Sequence, residues 1–300
     1  MNRNIFIDGQ AGTTGLGIAQ RLASLPGIAL ITLEDAHRKD AAARADAMSR
    51  ADLTVLCLPD DAAREAVALA PPGTRILDAS TAHRTAPGWV YGLPELNPAQ
   101  PAHIKSAARV SNPGCYATGA IALLRPLIAA GLLPADHAIT LNAISGYSGG
   151  GKAMIAAHDA HAGPAFELYG LTLEHKHIPE IMAYSGLTRR PLFVPSVGHF
   201  AQGMLVSLPL FLDHLSGSPS AGQLVELYQS AYQGQKNILA PSALHTGLLT
   251  PEGLNNTDRL EIFVCANQMH HQAVLIARLD NLGKGASGAA VQNISLMLGE

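Results

Sequence analysis

The apolar run Ile5-Phe6-Ile7-Asp8 leads straight into Gly9-Gln10-Ala11-Gly12-Thr13-Thr14-Gly15, and an amphipathic helical pattern follows from Thr14 to Leu25. No other feature restricts the fold of this chain as much. Three glycines between a short strand and a helix demand a tight turn, and they let a pyrophosphate approach the backbone at the helix N-terminus. The spacing is G-x-x-G-x-x-G rather than the commoner G-x-G-x-x-G, with the same physical consequence. Gly9, Gly12, Thr13, Thr14 and Gly15 are therefore the candidate cofactor contacts. The alternation continues with a strand at Ile28–Leu33, a helix at Asp40–Ser49 and a strand at Leu53–Leu58. A helix at Asp60–Leu69, with Asp60 as its candidate cap, and strands at Arg75–Asp78 and Ala107–Val110 complete it. This order predicts an α/β fold: a parallel sheet with helices on both faces, forming a Rossmann-type dinucleotide-binding domain over residues 1–112.

Beyond that point strands become denser and crossovers fewer. Strand-like runs lie at Ala138–Ile144, Leu192–Pro195, Met204–Phe211, Leu260–Val264 and Ala273–Arg278, with helical patterns at Lys152–His161 and Ala221–Tyr232. A second, α+β catalytic domain, also expected to carry the oligomer contacts, is assigned to residues 113–283. A helix at Ala286–Leu298, within residues 284–300, is expected to return to the first domain. Three hundred residues with 48% hydrophobic content suit two cored domains. A net charge of −3 without a basic run argues against nucleic acid or an anionic membrane surface as partner. Cys57, Cys115 and Cys265 are odd in number and widely spaced, which fits a reduced, cytoplasmic setting. The N-terminus has no leader pattern, and no apolar run approaches the ~20 residues of a membrane span.

The chemistry centres on Ser111-Asn112-Pro113-Gly114-Cys115-Tyr116-Ala117-Thr118-Gly119. Pro113 and Gly114 break the preceding strand and set Cys115 at the first turn of an apolar helix. The positive dipole end there favours thiolate over thiol by at most ~2 kcal/mol, roughly 1.5 pKa units. Full activation therefore needs a basic partner. Glu174-His175-Lys176-His177-Ile178-Pro179-Glu180 offers one at an apparent helix start. Two helical positions differ by ~200°, so only one of His175 and His177 faces the thiol if this element is regular helix. Glu180, three residues after His177, lies on its face and can orient that ring.

Other patterns carry less. Gly146-Tyr147-Ser148-Gly149-Gly150-Gly151-Lys152-Ala153 nearly spells a P-loop but ends in Ala153, without the magnesium-ligating hydroxyl. Thirteen histidines include close pairs, yet none forms H-E-x-x-H and no cysteine pair accompanies them, so no metal is expected. Cofactor choice stays open on these grounds: Glu34 and Asp35 close the second strand and favour NAD, whereas His37, Arg38 and Lys39 could take a 2′-phosphate.

Together these motifs resemble the N-acetyl-gamma-glutamyl-phosphate reductases, in their shorter variety, over essentially the whole chain. The likeness rests on Gly9 to Gly15, Asp78-Ala79-Ser80-Thr81-Ala82-His83-Arg84, Tyr91 to Leu96, Ser111 to Gly119, Ser145 to Lys152, His175 to Glu180, and Asp280 to Asn293. The Cys115 run and the last segment are also similar to aspartate-semialdehyde dehydrogenase. The resemblance implies NADP, with Arg38 at its 2′-phosphate and Asn281, Gly283 and Lys284 near the cofactor. It implies Cys115 as nucleophile, His177 as acid/base and Glu180 orienting it, and a small acyl-phosphate substrate met by Arg84, Asn112, Ser145 and His175. A homo-oligomer, dimer or tetramer, is expected. Two alternatives are compatible with the same residues: the same chemistry on aspartyl or acetylaminoadipyl phosphate, and a nucleotide-binding regulatory protein without turnover.

Overall fold

The computed structural model describes residues 3–160 and 162–299. The chain divides into two compact units, Met1–Pro113 with Ala286–Glu300, and Gly114–Gly285.

The first unit alternates strands β1 (Arg3–Asp8), β2 (Ile28–Ile31), β3 (Leu53–Leu56), β4 (Ile76–Asp78), β5 (Val90–Tyr91) and β6 (Arg109–Ser111) with helices α1 (Thr13–Ala23), α2 (Ala41–Arg50), α3 (Asp60–Leu69) and α4 (Gln100–Ser106). The strands pair in parallel in the order β2-β1-β3-β4-β6-β5. Period-two alternation sends successive side chains to opposite faces. Ile5 and Ile7 join Ile18 and Leu22 of α1, Ile104 of α4, and Ile294 and Met297 of the C-terminal helix (Gly288–Leu298). Phe6, between them, packs with Ala47 and Met48 of α2 and Ala63 and Ala66 of α3. Both faces of the sheet are thus covered. The order turns back on itself beside β1, where β2 lies on one side and β3 on the other, and such a switch point is where open α/β sheets bind ligands.

Three local readings need correction. The second strand ends at Ile31, so Glu34 and Asp35 lie beyond it, and Asp35 pairs with Arg38 at 2.6 Å. Asp60 is the first residue of α3 and not its cap, which is Pro59; its carboxylate receives the Thr81 backbone N–H and hydroxyl instead. The C-terminal helix opens with a π-turn at Gly283–Ser287 before regular helix begins at Gly288.

In the second unit, α5 (Cys115–Ala129) is followed by β7 (Thr140–Gly146), α6 (Gly151–Asp159), β8 (Phe166–Leu168), α7 (Ile178–Ser185), β9 (Leu192–Gly198), β10 (Met204–Phe211), α8 (Ala221–Ala231), β11 (Ile238–Leu239), β12 (Leu260–Asn267) and β13 (Gln272–Leu279). Seven strands form a mixed sheet, β11-β12-β13-β10-β7-β9-β8. Val206, Leu208, Ile262, Val264, Leu275 and Ala277 are buried on one face, the face to which α5 packs. Tyr228 of α8 and Tyr232 at its C-cap donate their hydroxyls to the Leu123 and Ala122 carbonyls of α5 at 2.5 and 2.7 Å, which satisfies two buried phenols. The opposite face is left partly exposed at Leu205, Phe263, Val274 and Ile276.

Candidate active site

Cys115 is the first residue of α5, and Gly114, the N-cap, has no side chain to occupy the first N–H groups of that helix. A Cβ added at Gly285 would fall 2.8 Å from the Cys115 Cβ, so the 280–285 turn can lie against Cys115 only with glycine there. The N–H of Gly114 donates to Oε2 of Glu180 at 3.0 Å, which anchors the turn that carries Cys115. Glu180 is 1% exposed and sits in the first turn of α7; its other oxygen lies 4.0 Å from Nε2 of His177. That separation exceeds a hydrogen bond.

His177 is the N-cap of α7 and His175 precedes the helix, so the ~200° argument for regular helix does not apply to this pair. Their rings meet edge to face at 4.7 Å, and both contact the ring of Tyr116, at 5.8 Å for His175 and 5.9 Å for His177. They are separated instead by hydrogen bonding. Nδ1 of His175 accepts the His177 backbone N–H at 3.1 Å, which places the proton of a neutral His175 on Nε2, 3.4 Å from the Tyr169 hydroxyl.

Tyr116 and Tyr169 were not singled out in the sequence. Tyr116 donates to the Ser196 carbonyl at 2.9 Å. Burial, then the charges of Tyr169 and Cys115, push its phenol above the ordinary range. Tyr169 is pushed up to about 12, chiefly by burial, with the Tyr116 hydrogen bond opposing and the Cys115 charge adding. Both phenols therefore lie within electrostatic reach of Cys115. Tyr116 stood in view beside the cysteine, whereas nothing local marks Tyr169. Ser145 is buried at the end of β7, its hydroxyl donating to the Gly146 carbonyl at 3.1 Å. Asn281 accepts from Gly203 N–H and donates to Ser148 Oγ, at 2.8 and 2.9 Å. Lys284 is fully buried, and a Cβ on Gly283 would meet the Thr257 carbonyl oxygen at 2.1 Å. The backbone N–H groups of Gly146, Tyr147 and Ser148 go to the carbonyls of Gly203, Phe200 and Ala201, so this glycine-rich loop has no free phosphate cradle at those positions.

In the first unit, Gly9 has φ +85°, and a Cβ there would lie 2.4 Å from the Cys57 carbonyl oxygen, so only glycine fits. Gly12 is the N-cap of α1 without a side-chain cap, and Thr13 and Thr14 form its first turn. A Cβ on Gly15 would approach the Gly9 carbonyl oxygen to 2.7 Å. This backbone-lined turn fits the pyrophosphate of a dinucleotide. Arg38 is about half-exposed, beside Asp35. Arg84, expected near the substrate, is 8% exposed and donates from Nε to the Asn112 carbonyl at 3.0 Å. The Asn112 amide donates to the Ala286 carbonyl and accepts from Asn293, both at 3.1 Å. Burial and the carboxylates of Asp78 and Asp8 push Cys57 up to about 12, and burial also raises Cys265. Among the described residues, no group of three or more His, Cys, Asp or Glu side chains is placed to hold a metal ion.

Residues 115–281 match the semialdehyde dehydrogenase dimerisation domain, and residues 30–106 the semialdehyde dehydrogenase NAD binding domain. Over 302 residues the chain is 52% identical to N-acetyl-gamma-glutamyl-phosphate reductase 2 of Pseudomonas putida, covering 98% of this chain and 96% of that protein. The chain belongs to the N-acetyl-gamma-glutamyl-phosphate reductase family. The reductase of Trichormus variabilis is 51% identical, covering 100% of this chain and 98% of its own. Among solved structures, aspartate semialdehyde dehydrogenase II of Vibrio cholerae, complexed with ASA, superposes with a TM-score of 0.71 at 16% identity, covering 99% of this chain and 98% of that one. The NADP-bound aspartate semialdehyde dehydrogenase of Candida albicans gives 0.69 at 12% identity, with 99% of each chain covered. These two share the fold.

Proposed function

We propose that this protein reduces N-acetyl-L-glutamyl 5-phosphate to N-acetyl-L-glutamate 5-semialdehyde and phosphate, using NADPH, in arginine biosynthesis. The observation that carries this reading is the match along the full chain to reductases of that name, joined to a cysteine at a helix start whose preceding N–H is held by a buried carboxylate.

In this reading Sγ of Cys115 attacks the acyl carbon, the C–O bond to phosphate breaks, and phosphate leaves from a thioester on Cys115. An acyl phosphate is activated enough for a soft thiolate to suffice. The Gly9–Gly15 turn would hold NADPH, whose chemistry there would be to supply the hydride that takes the thioester to the hemithioacetal level. His177 takes the thiol proton and returns a proton to the hemithioacetal oxygen, and Glu180 stabilises the imidazolium between these steps. His177 then takes the hydroxyl proton as the hemithioacetal collapses, the C–S bond breaks, and the semialdehyde leaves the restored Cys115 thiolate. Arg84 takes the substrate phosphate or carboxylate, with Asn112, Ser145 and His175 as further substrate contacts. The Tyr169 hydrogen bond supports a substrate-facing role for His175. Arg38 takes the cofactor's 2′-phosphate, and Asn281, Gly283 and Lys284 support the cofactor side. The first domain, residues 1–112, binds the cofactor; residues 113–283 carry the chemistry; residues 284–300 complete the first domain.

The protein acts as a homo-oligomer, a dimer or tetramer, in the cytoplasm. The partly exposed apolar face at Leu205, Phe263, Val274 and Ile276, within the segment that matches a dimerisation domain, supports self-association. The deciding assay is the reverse reaction: phosphate-dependent reduction of NADP with N-acetylglutamate semialdehyde, run beside aspartate semialdehyde and the acetylaminoadipate analogue. The N-acetylglutamyl compound should give the highest kcat/KM. A higher value for either competitor, or no thiol-dependent turnover, overturns the reading.

A further inference from the structure

Asp78, at the end of β4, is fully buried, and its carboxylate is committed within a single turn. Oδ1 accepts the Ser80 backbone N–H at 2.9 Å, while Oδ2 accepts the Ser80 hydroxyl at 2.7 Å and lies 2.6 Å from Nδ1 of His83. The same Ser80 hydroxyl accepts the Ala82 N–H at 3.1 Å. The His83 ring is stacked on Trp89, with centroids 4.2 Å apart and planes 15° from parallel. A buried carboxylate is costly unless several hydrogen bonds hold it, and here three groups do: the Ser80 N–H, the Ser80 hydroxyl and the His83 ring. What the turn delivers is the next residue, Arg84, itself buried and fixed through Nε to the Asn112 carbonyl, three positions before Cys115 in the chain.

We propose that His83, clamped between Asp78 and Trp89, is a positioning residue for the substrate's phosphoryl group: it sets the turn that aims the Arg84 guanidinium. A guanidinium recognises phosphate through a planar fork, so its value depends on orientation more than on proximity. Removing the clamp leaves the charge in place and degrades its aim, and the loss falls on phosphate recognition. Cofactor binding at the Gly9–Gly15 turn is untouched.

This inference rests on the proposed reductase activity, and the experiment separates the two. In the reverse reaction, KM for inorganic phosphate, KM for NADP and kcat are measured for wild type, His83→Leu and His83→Asn. His83→Leu should raise KM for phosphate roughly tenfold, about one well-oriented charge-assisted contact, with KM for NADP and kcat within about twofold. His83→Asn, whose amide can still donate to Asp78, should recover most of that loss. If His83→Leu fails to fold, His83→Gln, which places the amide one methylene too far, should give the same selective rise in KM for phosphate. An unchanged KM for phosphate, or equal losses across phosphate, NADP and kcat, overturns the positioning role while leaving the reductase reading intact. A wild-type enzyme whose turnover ignores phosphate removes the reductase reading, and this inference with it.

Discussion

The turns that open α1 and α5 use the same physics for different ends. Each follows a strand, each is capped by a glycine without a side chain, and each presents the positive end of a helix. At α1 nothing but backbone is offered, and Gly9 is required because a Cβ there would collide with Cys57. The result is a site for an anion that arrives from outside. At α5 the helix start carries a side chain of its own: Cys115 occupies the first position, and Glu180, 66 residues from Gly114, holds the N–H just before it. A helix start becomes a binding site when it is left bare. It becomes reactive when a side chain is placed on it and a second helix fixes it.

The largest test of that distinction is the thiol itself. Cys115→Ser should lower turnover by at least about 10⁴-fold, as for loss of a covalent nucleophile, while leaving NADPH affinity within about twofold. Cys57 provides the internal control. Burial and the neighbouring carboxylates push its thiol up to about 12, which disfavours the thiolate, so brief iodoacetamide treatment should label Cys115 in step with lost activity and spare Cys57. Faster labelling of Cys57 with activity retained would falsify the assignment.

Next in size is the second helix. His177→Asn should slow turnover by roughly 10²–10⁴-fold and slow alkylation of Cys115 near neutral pH. His175→Asn should mainly raise KM, because its Nδ1 already accepts the His177 N–H and its other nitrogen faces Tyr169. If His175 proved to control thiol reactivity and His177 were dispensable, the roles drawn from this hydrogen bonding would be reversed.

What the sequence made legible follows from how local each feature is. The Gly9–Gly15 turn and the Pro113-Gly114-Cys115 break are written in neighbouring residues, and the parallel alternation of the first unit is periodic enough to read. Strands β5, β8 and β11 are two or three residues long and exist only through their partners, so no local pattern announces them. The Glu180–Gly114 bond and the contact of Gly285 with Cys115 join distant segments, and only the folded chain brings them together. Glu34 and Asp35 misled for the opposite reason: apolar Leu33 extended the strand pattern past Ile31, where pairing with β1 stops.

The bare turn can be probed residue by residue. Gly9→Ala should cost about 2 kcal/mol of stability and raise KM for NADPH about tenfold, since it combines a positive φ with a Cβ 2.4 Å from the Cys57 carbonyl oxygen. Gly12→Ala has room, its nearest atom being 3.5 Å away, and should leave thermal stability nearly unchanged. Equal melting temperatures for the two variants would mean that the glycines serve the chain's flexibility and not the close approach of β1 to β3.

The smallest expected effect concerns which dinucleotide the bare turn accepts. Arg38 stands beyond β2, about half-exposed and 2.6 Å from Asp35, so its charge is partly balanced within the same turn. A surface pair of this kind contributes at most about 1 kcal/mol, and a 2′-phosphate carrying more charge than a carboxylate can draw the guanidinium away from it. Arg38→Ser should therefore lower the NADP-to-NAD ratio of kcat/KM by roughly tenfold, mostly through KM, with kcat for NAD unchanged. Asp35→Asn should move the ratio the other way by a smaller factor, because it releases Arg38 and removes a negative charge from the approach. Both shifts should weaken as salt is raised, since exposed charges are screened over about 10 Å at 0.1 M. A ratio insensitive to both substitutions would place the 2′-phosphate elsewhere, with His37 and Lys39 the next cations to test.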